Sequence, residues 1–415
     1  MNFRFTQLVH SHPEFKNVLL KDIAEKVNQK NTSLVVKRVL TNSAEFGVID
    51  QSKFFDRKIA QDNNISNYTI VKQGDFIYNP RISSLAPCGP INKSNIKEGI
   101  ASPLYTVFRI KDSKIRNEFL ALYFKSNAWH SYARSVANYG ARSDRMNIRN
   151  EDFFLIPIPI PNIEEQERII SFFSLLEDKI NLAERTLELF EIARKATTDQ
   201  IFSRQLCLKK TDGSLYGHWQ EQAFPAIFTF LRTKPISREN LNGNNSPYNI
   251  HYGDILTKYD TTIDLQTDEL PSISDDINMS NTDVLKEGDL IIADTAEDSS
   301  AGKSIEILNT SNQTIYAGLH TFACRPNTKF APGFLGYYLN SSTYHNQLLR
   351  LMTGTKVLSI SKAQISTTKI LIPTLAEQER ITTLLNNLRE KTRIQRKKLC
   401  ALKALKNALL QQMFV

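Results

Sequence analysis

The sequence predicts an α+β protein with two related globular domains, each followed by a long helix, and with the two helices paired as an antiparallel coiled coil. Three observations predict this class. The string "IPIPNIEEQERI" at residues 158–169 returns as "ILIPTLAEQERI" at residues 370–381. The match then continues without a gap for about 42 residues, counted from Pro161. Apolar residues recur at coiled-coil spacing through both copies.

Length and composition set the limits of this prediction. A chain of 415 residues is long enough for two domains that each bury a core. The composition is globular, with 41% hydrophobic and 23% charged residues and no apolar run that would cross a bilayer. The N-terminal "MNFRFTQLVHSH" lacks the features of a secretory signal. We therefore expect a soluble cytoplasmic protein with no membrane partner.

Cysteine usage and net charge narrow the class of partner. Four widely separated cysteines predict neither a metal knuckle nor a disulfide framework, so we expect them to be reduced and structural. The net charge of +9 suits a polyanionic partner, because cationic side chains that neutralise phosphates release counterions.

Landmarks shared by the two halves place the domains. "VKQGDFI" at residues 71–77 and "LKEGDLI" at residues 285–291 each predict a turn at Gly-Asp that enters a strand. "FLALYF" is repeated as "FLGYYL", and Gly140 falls near the place of Gly354. The turn-rich "KKTDGSLYG" marks the boundary between the halves. The predicted organisation is a first domain at residues 1–155, a helical region at 156–203, a second domain at 204–369 and a helical region at 370–415.

Both long helices are predicted to begin just after a proline. Asn162 precedes Glu165 by three residues, and Thr374 precedes Glu377 by three, which is capping-box spacing. Steps of four and three then define a mainly apolar stripe in each copy. The stripe positions are Ile169, Phe173, Leu176, Ile180, Ala183, Leu187, Phe190, Arg194, Thr197 and Ile201, and Ile381, Leu385, Leu388, Thr392, Gln395, Leu399, Leu402, Lys406, Leu409 and Met413. Forty helical residues span about 60 Å.

Opposite charges predict that the two helices pair with each other. Residues 164–203 carry nine acidic and five basic side chains, whereas residues 380–415 carry one acidic and nine basic side chains. The alternative is that each helix packs only on its own domain, which rarely requires five heptads.

The duplicated order of divergent domain, short proline-bearing strand, Glu-Gln-Glu-Arg-Ile and long helix resembles the specificity subunit of type I restriction-modification systems. The resemblance implies that the two globular domains are target-recognition domains, each reading one half of a split sequence in double-stranded DNA. It implies that the coiled coil spaces the domains and docks two methyltransferase subunits, with restriction and translocase subunits joining through the complex. One departure concerns the domain starts: Trp219 looks like the tryptophan at which a domain of this family begins, whereas the first half offers Phe15.

Eight residues match the motif of this family. They are Pro161, Glu165, Gln166, Arg168, Pro373, Glu377, Gln378 and Arg380. Two roles remain open for them, docking of the partner subunits and capping of the helix starts.

Candidate DNA-binding residues lie in polar loops, because readout needs amide or cationic groups at base edges and further groups at phosphates. The candidates are Asn79, Arg81, Tyr139, Arg142, Arg145 and Arg149 in the first domain, and Asp294, Lys303, Thr355 and Lys356 in the second. For any single member, an ordinary solvated loop residue is the alternative.

Motifs that suggest catalysis fail on inspection. "YNPR" at residues 78–81 lacks the second proline and the aromatic residue of an amino-methyltransferase loop. "SSAGKS" has Glu297 where the first glycine of a phosphate-binding loop must stand. "EDK" at residues 177–179 lies within a helix, and "HSH" at residues 10–12 has no partners at zinc spacing. We therefore expect no catalytic site, metal or cofactor.

Two rival functions remain. One is a self-contained DNA-modifying enzyme with an unrecognised motif, and the other is a coiled-coil scaffold that binds no DNA.

Overall fold

The structure is a computed structural model of the chain, and it describes residues 15–53, 65–138, 144–310 and 313–414. Contacts divide the chain into unit 1, residues 1–184 with 397–415, and unit 2, residues 185–396. Each unit combines a mixed helix and strand domain with parts of two long helices, which confirms the α+β class. Within the described part of the chain, every helix is too short or too polar to cross a membrane.

The globular domain of unit 1 is built from short strands. The strands are β1 (Lys16–Leu19), β2 (Ala24–Lys26), β3 (Val39–Ser43), β4 (Gly47–Asp50), β5 (Thr69–Lys72), β6 (Phe76–Tyr78), β7 (Ile91–Lys93), β8 (Glu98–Ala101), β9 (Thr106–Ile110) and β10 (Pro157–Ile160). The helices are α1 (Leu20–Ile23), α2 (Asn117–Lys125), α3 (His130–Val136) and α4 (Asn150–Phe153), with a 3-10 turn at Gln51–Lys53. The strands form two four-stranded sheets, ordered β2-β9-β6-β7 and β4-β3-β8-β5, and the pair β1-β10.

The predicted Gly-Asp turn connects the two four-stranded sheets of unit 1. Gly74 has a φ of +91°, a conformation that residues with a Cβ rarely adopt. The carboxylate of Asp75 accepts the backbone N–H of Lys72 at 2.7 Å and a bidentate pair from Arg109 at 2.6 and 2.9 Å. Asp75 is therefore a structural clamp that fixes the start of β6.

The domain of unit 2 follows the first long helix, α5 (Ile163–Phe202), and differs from the first domain in the order of its elements. Its strands are β11 (Gln220–Ala223), β12 (Phe228–Phe230), β13 (Gly243–Ile250), β14 (Thr262–Asp264), β15 (Leu290–Ala293), β16 (Thr295–Ala296), β17 (Ser304–Leu308), β18 (Ile315–Ala317), β19 (Thr321–Pro326), β20 (Leu358–Ser359) and β21 (Lys369–Ile372). Its helices are α6 (Phe224–Ile227), α7 (Tyr252–Thr257), α8 (Phe334–Leu339), α9 (Ser342–Leu349) and α10 (Lys362–Ile365), with a 3-10 turn at Arg238–Asn240. The main sheet has the order β12-β19-β15-β17-β14, and the remaining strands form the pairs β11-β21, β13-β18 and β16-β20.

Unit 2 repeats the clamp at its own Gly-Asp turn. Gly288 has a φ of +82°, and the carboxylate of Asp289 accepts the backbone N–H of Lys286 at 2.7 Å. Arg325 completes the bidentate pair with Asp289 at 2.9 and 2.7 Å. The duplicated sequence landmark therefore encodes a duplicated tertiary contact.

The first and last strands of each domain pair with each other. Lys16 lies opposite Ile160, and Gln220 lies opposite Ile372. Equivalent residues are thus 204 positions apart in the first strand and 212 apart in the last. Continuing the offset of 204 by one residue makes Phe15 the counterpart of Trp219, which accounts for the departure noted in the sequence.

The two long helices begin where the sequence predicts. Helix α5 starts at Ile163, and the second long helix, α11 (Leu375–Met413), starts at the equivalent position. The side chain of Asn162 accepts the N–H of Glu165 at 2.9 Å, and Thr374 accepts the N–H of Glu377 at 3.4 Å. These side chains satisfy backbone donors that have no partner within the helix.

Within each unit, α5 and α11 lie side by side and run antiparallel. In unit 1, Glu177 and Glu184 of α5 form ion pairs with Lys406 and Lys403 of α11, respectively. In unit 2, Glu191 meets Arg396 at 2.5 Å. Residue numbers rise along one helix as they fall along the other. The prediction that the acidic helix pairs with the basic one is therefore confirmed.

The predicted stripe holds most of the buried apolar residues of these helices. The buried stripe residues of α5 are Ile169, Phe173, Leu176, Ile180, Ala183 and Ile201, and those of α11 are Ile381, Leu385, Thr392, Leu399 and Met413. Phe190 departs from the pattern with 37% of its surface exposed. Arg194 is a charged residue within the stripe, and its guanidinium pairs with Asp260 of the second domain at 2.7 Å.

Candidate nucleic-acid interface

In unit 1, the candidate loops are brought together although more than sixty residues separate them. Arg81 and Arg145 form an antiparallel bridge, so the segment after β6 lies alongside the segment before α4. The N–H of Ile82 donates to the carbonyl of Asp144 at 3.0 Å, and that of Met146 donates to the carbonyl of Pro80 at 2.8 Å. The two sequence clusters are therefore one continuous surface.

Arg81 and Arg149 are exposed on this surface, whereas Arg145 is half-buried. The side chain of Arg81 is 67% exposed and lies 3.4 Å from the carboxylate of Asp144. Arg149 is 69% exposed and lies 2.7 Å from Asp152. Solvent-exposed ion pairs contribute little to stability, so these guanidinium groups can exchange a carboxylate for a phosphate or a guanine edge at low cost.

Asn79 differs from these arginines, because its side chain makes hydrogen bonds within the domain. Its amide nitrogen donates to the carbonyl of Asn42 at 3.0 Å, and its amide oxygen accepts the N–H of Arg81 at 3.0 Å. These two bonds fix the orientation of the Asn79 side chain and leave one N–H donor and one oxygen lone pair for other contacts. Two further candidates, Tyr139 and Arg142, lie outside the described residues.

In unit 2, the equivalent segments pair in the same register. Thr295 lies opposite Ser359, and each partner is 214 positions beyond its counterpart in the Arg81–Arg145 bridge. The turn before β20 carries the candidates Thr355 and Lys356, both exposed. Hydroxyl groups and one lysine thus stand where the first domain presents arginines.

The other two candidates of unit 2 already have partners. Asp294 lies 3.2 Å from Nδ1 of His320, and burial raises the pKa of Asp294 while the nearby histidine opposes that shift. The ammonium of Lys303 donates to the carbonyls of Leu256 and Tyr259, at 3.2 and 2.7 Å. Burial lowers the pKa of Lys303. Lys303 therefore stabilises its own loop with two of its three N–H donors.

The repeated Glu-Gln motif attaches each long helix to its domain. The amide oxygen of Gln166 accepts the backbone N–H of Arg116 at 2.9 Å, and its nitrogen donates to the carbonyls of Lys114 and Pro161 at 3.1 Å each. Gln378 makes the matching bonds, accepting the N–H of Ala331 at 2.9 Å and donating to the carbonyl of Pro373 at 3.0 Å. Only 1% and 3% of the two glutamine surfaces are exposed.

The remaining motif residues divide into a buried and an exposed set. Glu165 and Glu377 are buried, and Glu377 lies 3.3 Å from the guanidinium of Arg204. Burial raises the pKa of Glu377, which Arg204 opposes. Arg168 and Arg380 are exposed. This division favours the helix-start role for the buried carboxylates and glutamines, whereas the two arginines are accessible to a partner.

Sequence reasoning did not single out His320, which lies at the candidate surface of unit 2. No periodicity or spacing marked it, because its place depends on a contact with Asp294 across the sheet. Within the described ranges, no group of three or more His, Cys, Asp or Glu side chains is arranged to hold a metal ion.

Comparison with known proteins gives a consistent result. The sequence matches the family "Type I restriction modification DNA specificity domain" over residues 13–191 and 272–404. A chain solved in work on complex assembly and conformational transition of the type I R-M system superposes with a TM-score of 0.60 at 18% identity, covering 97% of this chain and 98% of that one. The HsdS subunit from Thermoanaerobacter tengcongensis gives a TM-score of 0.52 at 18% identity, with 99% of both chains covered.

A third similar structure is the type I restriction-modification S subunit from M. genitalium, with a TM-score of 0.50 at 13% identity and 98% and 97% of the chains covered. These likenesses establish the shared fold. Because the family match extends over both halves and covers most of the sequence, the chain belongs to the type I restriction-modification DNA specificity family and is a DNA-recognition subunit with two domains.

Proposed function

We propose that each globular domain reads one half of a bipartite sequence in double-stranded DNA, with the domains at residues 1–155 and 204–369. The paired long helices set the gap between the half-sites. They also dock two methyltransferase subunits, through which restriction and translocase subunits join the complex. The chain itself is non-catalytic and uses no cofactor.

The observation that carries this proposal is the pair of equivalent bridges, Arg81 with Arg145 and Thr295 with Ser359. Their identical offset means that the two domains present the same backbone edge. The side chains on that edge differ, with guanidinium groups in one domain and hydroxyl groups in the other. One scaffold with two side-chain sets is what reading two different half-sites requires.

Selection of bound duplexes from a randomised pool tests the reading role. We expect the full-length chain to select two short motifs separated by a fixed gap. Replacing Arg81 and Arg145 with alanine should relax the motif read by the first domain and leave the other unchanged. Substituting Thr355 and Lys356 is the reciprocal control. Loss of both motifs in either variant would show that the domains do not read independently.

The proposal that the paired helices set the gap between the half-sites is tested by changing the length of both helices together. Seven residues inserted after Glu184 in α5 and seven after Arg396 in α11 add about 10 Å while keeping the heptad phase. That distance corresponds to about three base pairs of B-DNA. We expect the selected gap to lengthen by about this amount. The control is an insertion of seven residues at Gly213, in a surface turn, which should leave the gap unchanged. An unchanged gap in the helix variant would show that the helices do not set the spacing.

Docking is supported by apolar side chains on the outside of the paired helices. In unit 1, Leu175 of α5 is 63% exposed and Leu405 of α11 is 49% exposed. In unit 2, Leu189 and Ile192 of α5 are each 57% exposed, and Ile394 of α11 is 56% exposed. Large apolar groups on both helices in both units suit contact with an apolar helix face of a partner. Two such surfaces match two methyltransferase subunits.

Charged substitutions test the docking surfaces separately. Leu175→Glu with Leu405→Glu should reduce the bound methyltransferase subunits from two to one, measured by light scattering of the co-purified complex. Adding Leu189→Glu and Ile394→Glu should remove the second subunit. Leu206→Glu changes an exposed leucine outside the long helices and should retain two. Full assembly by the fourfold variant would place docking elsewhere.

Two simple measurements test the rival functions, a self-contained DNA-modifying enzyme and a scaffold that binds no DNA. Incubation of the isolated chain with DNA, a methyl donor and Mg²⁺ should give neither methylation nor cleavage, whereas turnover without partners would identify an enzyme. Filter binding across a salt series should show a steep fall in DNA affinity, because phosphate contacts release counterions. A scaffold that binds no DNA would show no such dependence.

A further inference from the structure

We infer that His320 is a base-reading residue of the second domain, positioned by Asp294 to contact the exocyclic amino group of an adenine or cytosine in the major groove. The inference rests on the proposed function, since it assigns part of recognition to one side chain.

His320 is held in an unusual backbone conformation by several contacts. Its φ of +51° lies in the left-handed region, which is uncommon for residues other than glycine and is informative where the surrounding structure enforces it. Its carbonyl accepts the N–H of Asp294 at 3.1 Å, and its ring nitrogen Nδ1 lies 3.2 Å from the Asp294 carboxylate. The ring also packs edge-on against Tyr252, with the centroids 5.3 Å apart.

Despite these contacts, 51% of the His320 side chain is exposed. A side chain that served only to pack would be covered once it was fixed in this way. The ring is therefore oriented towards solvent, with Nδ1 occupied by Asp294 and Nε2 on the other side of the ring. This arrangement leaves Nε2 as the ring nitrogen for an external partner.

The chemistry of Nε2 selects the class of that partner. An ionised carboxylate only accepts hydrogen bonds, so Nδ1 of His320 donates its hydrogen to Asp294. In the neutral form of the ring, Nε2 then carries a lone pair and accepts a hydrogen bond. Donors in the major groove are the amino groups of adenine N6 and cytosine N4. A phosphate offers only acceptors. In that form, the ring is suited to an amino group on a base edge rather than to the DNA backbone.

The position of the pair agrees with this assignment. Asp294 directly precedes β16, and its carbonyl accepts the N–H of Ile360 at 2.9 Å just after β20. The same β16-β20 pair carries the turn with Thr355 and Lys356. Those exposed groups can hold phosphates while His320 contacts a base.

Selection from a randomised duplex pool with the full-length chain tests the inference. The main variant is His320→Asn, because asparagine tolerates the left-handed conformation but is too short to replace Nε2. We expect it to lose about tenfold in preference at one base pair of one half-site, as for the loss of a base hydrogen bond. His320→Ala and Asp294→Asn should relax the same base pair, since Asp294 is the positioning residue. His218→Ala, which removes another exposed histidine of unit 2, is the matched control and should change nothing.

The outcomes separate this inference from the proposed function. If the wild-type chain selects a bipartite motif and His320→Asn selects the same motif with the same preferences, the inference is overturned while the function stands. Equal weakening at every position of both half-sites would also overturn it, because that pattern indicates a phosphate contact or a folding defect. If the wild-type chain selects no bipartite motif, the proposed function fails and the inference fails with it.

Discussion

Phe202 and Phe414 occupy equivalent places at the ends of the two long helices, and their removal should destabilise different units. Phe202 is fully buried in unit 2, with its ring centroid 5.3 Å from that of Tyr338 and 5.9 Å from that of Phe334. Phe414 is 7% exposed in unit 1 and lies 5.6 Å from the ring of Phe119. Each aromatic side chain thus joins the end of a helix to the core of a domain.

Phe202→Ala removes a fully buried ring, so the expected loss is about 3–5 kcal/mol in the free energy of unfolding of unit 2. For a unit of 212 residues this lowers the melting temperature by roughly 10 °C. Phe414→Ala should lower the stability of unit 1 by a similar or smaller amount, because that ring is slightly exposed.

Calorimetry combined with peptide-level hydrogen exchange assigns each loss to a unit, which matters because a two-domain chain need not unfold in one step. Phe190→Ala is the matched control, since Phe190 lies on the same helix as Phe202 but is 37% exposed. The reasoning is refuted if Phe202→Ala and Phe190→Ala have equal effects, or if Phe202→Ala increases exchange in unit 1 instead of unit 2.

Three further predictions concern buried polar groups. Asp289→Asn should lower the free energy of unfolding by about 3 kcal/mol in denaturant melts, because it leaves the guanidinium of Arg325 without its buried partner. Asp283→Asn should have a smaller effect, because Asp283 is only partly buried and its partner Arg232 is exposed. Burial raises the pKa of Glu306 to about 7, so the folded state keeps a proton that the unfolded chain releases near pH 4.5. Stability should therefore fall by about 3 kcal/mol as the pH rises from 4.5 to 7 and level off above it, and urea melts from pH 4 to 8 that show a flat profile would contradict this. Gln378→Ala should cost about 1–3 kcal/mol by leaving the buried N–H of Ala331 unpaired, and Gln166→Ala should cost less because the N–H of Arg116 is only partly buried. Both losses are measured as increased hydrogen exchange near the helix start.

The long helices were predictable because their signals are local and repeated. A proline, a capping residue and an apolar stripe fix where a helix begins and which face it buries, and the opposite charges of α5 and α11 indicate their pairing. The same holds for the Gly-Asp turns, where Gly74 and Gly288 must take positive φ. In both cases neighbouring residues are sufficient to specify the structure.

The candidate surface was less accessible to such reasoning. The sequence identified polar loops, but the bonds of Asn79 and Lys303 to distant carbonyls depend on tertiary contacts that no spacing encodes. The role of Gln166 was left open between docking and capping, since its bond to the N–H of Arg116 crosses fifty residues of sequence. Side-chain chemistry can thus be read locally, whereas its availability depends on the whole fold.

The pairing of the first and last strands of each domain also affects how the protein tolerates changes in length. The offset between equivalent residues is 204 in the first strand and 212 in the last, so the second domain contains eight more residues than the first. Helices α5 and α11 nevertheless begin at equivalent residues, 212 positions apart. The paired first and last strands therefore hold the start of the helix in place. Insertions or deletions elsewhere in a globular domain need not shift the heptad phase of the helix that follows.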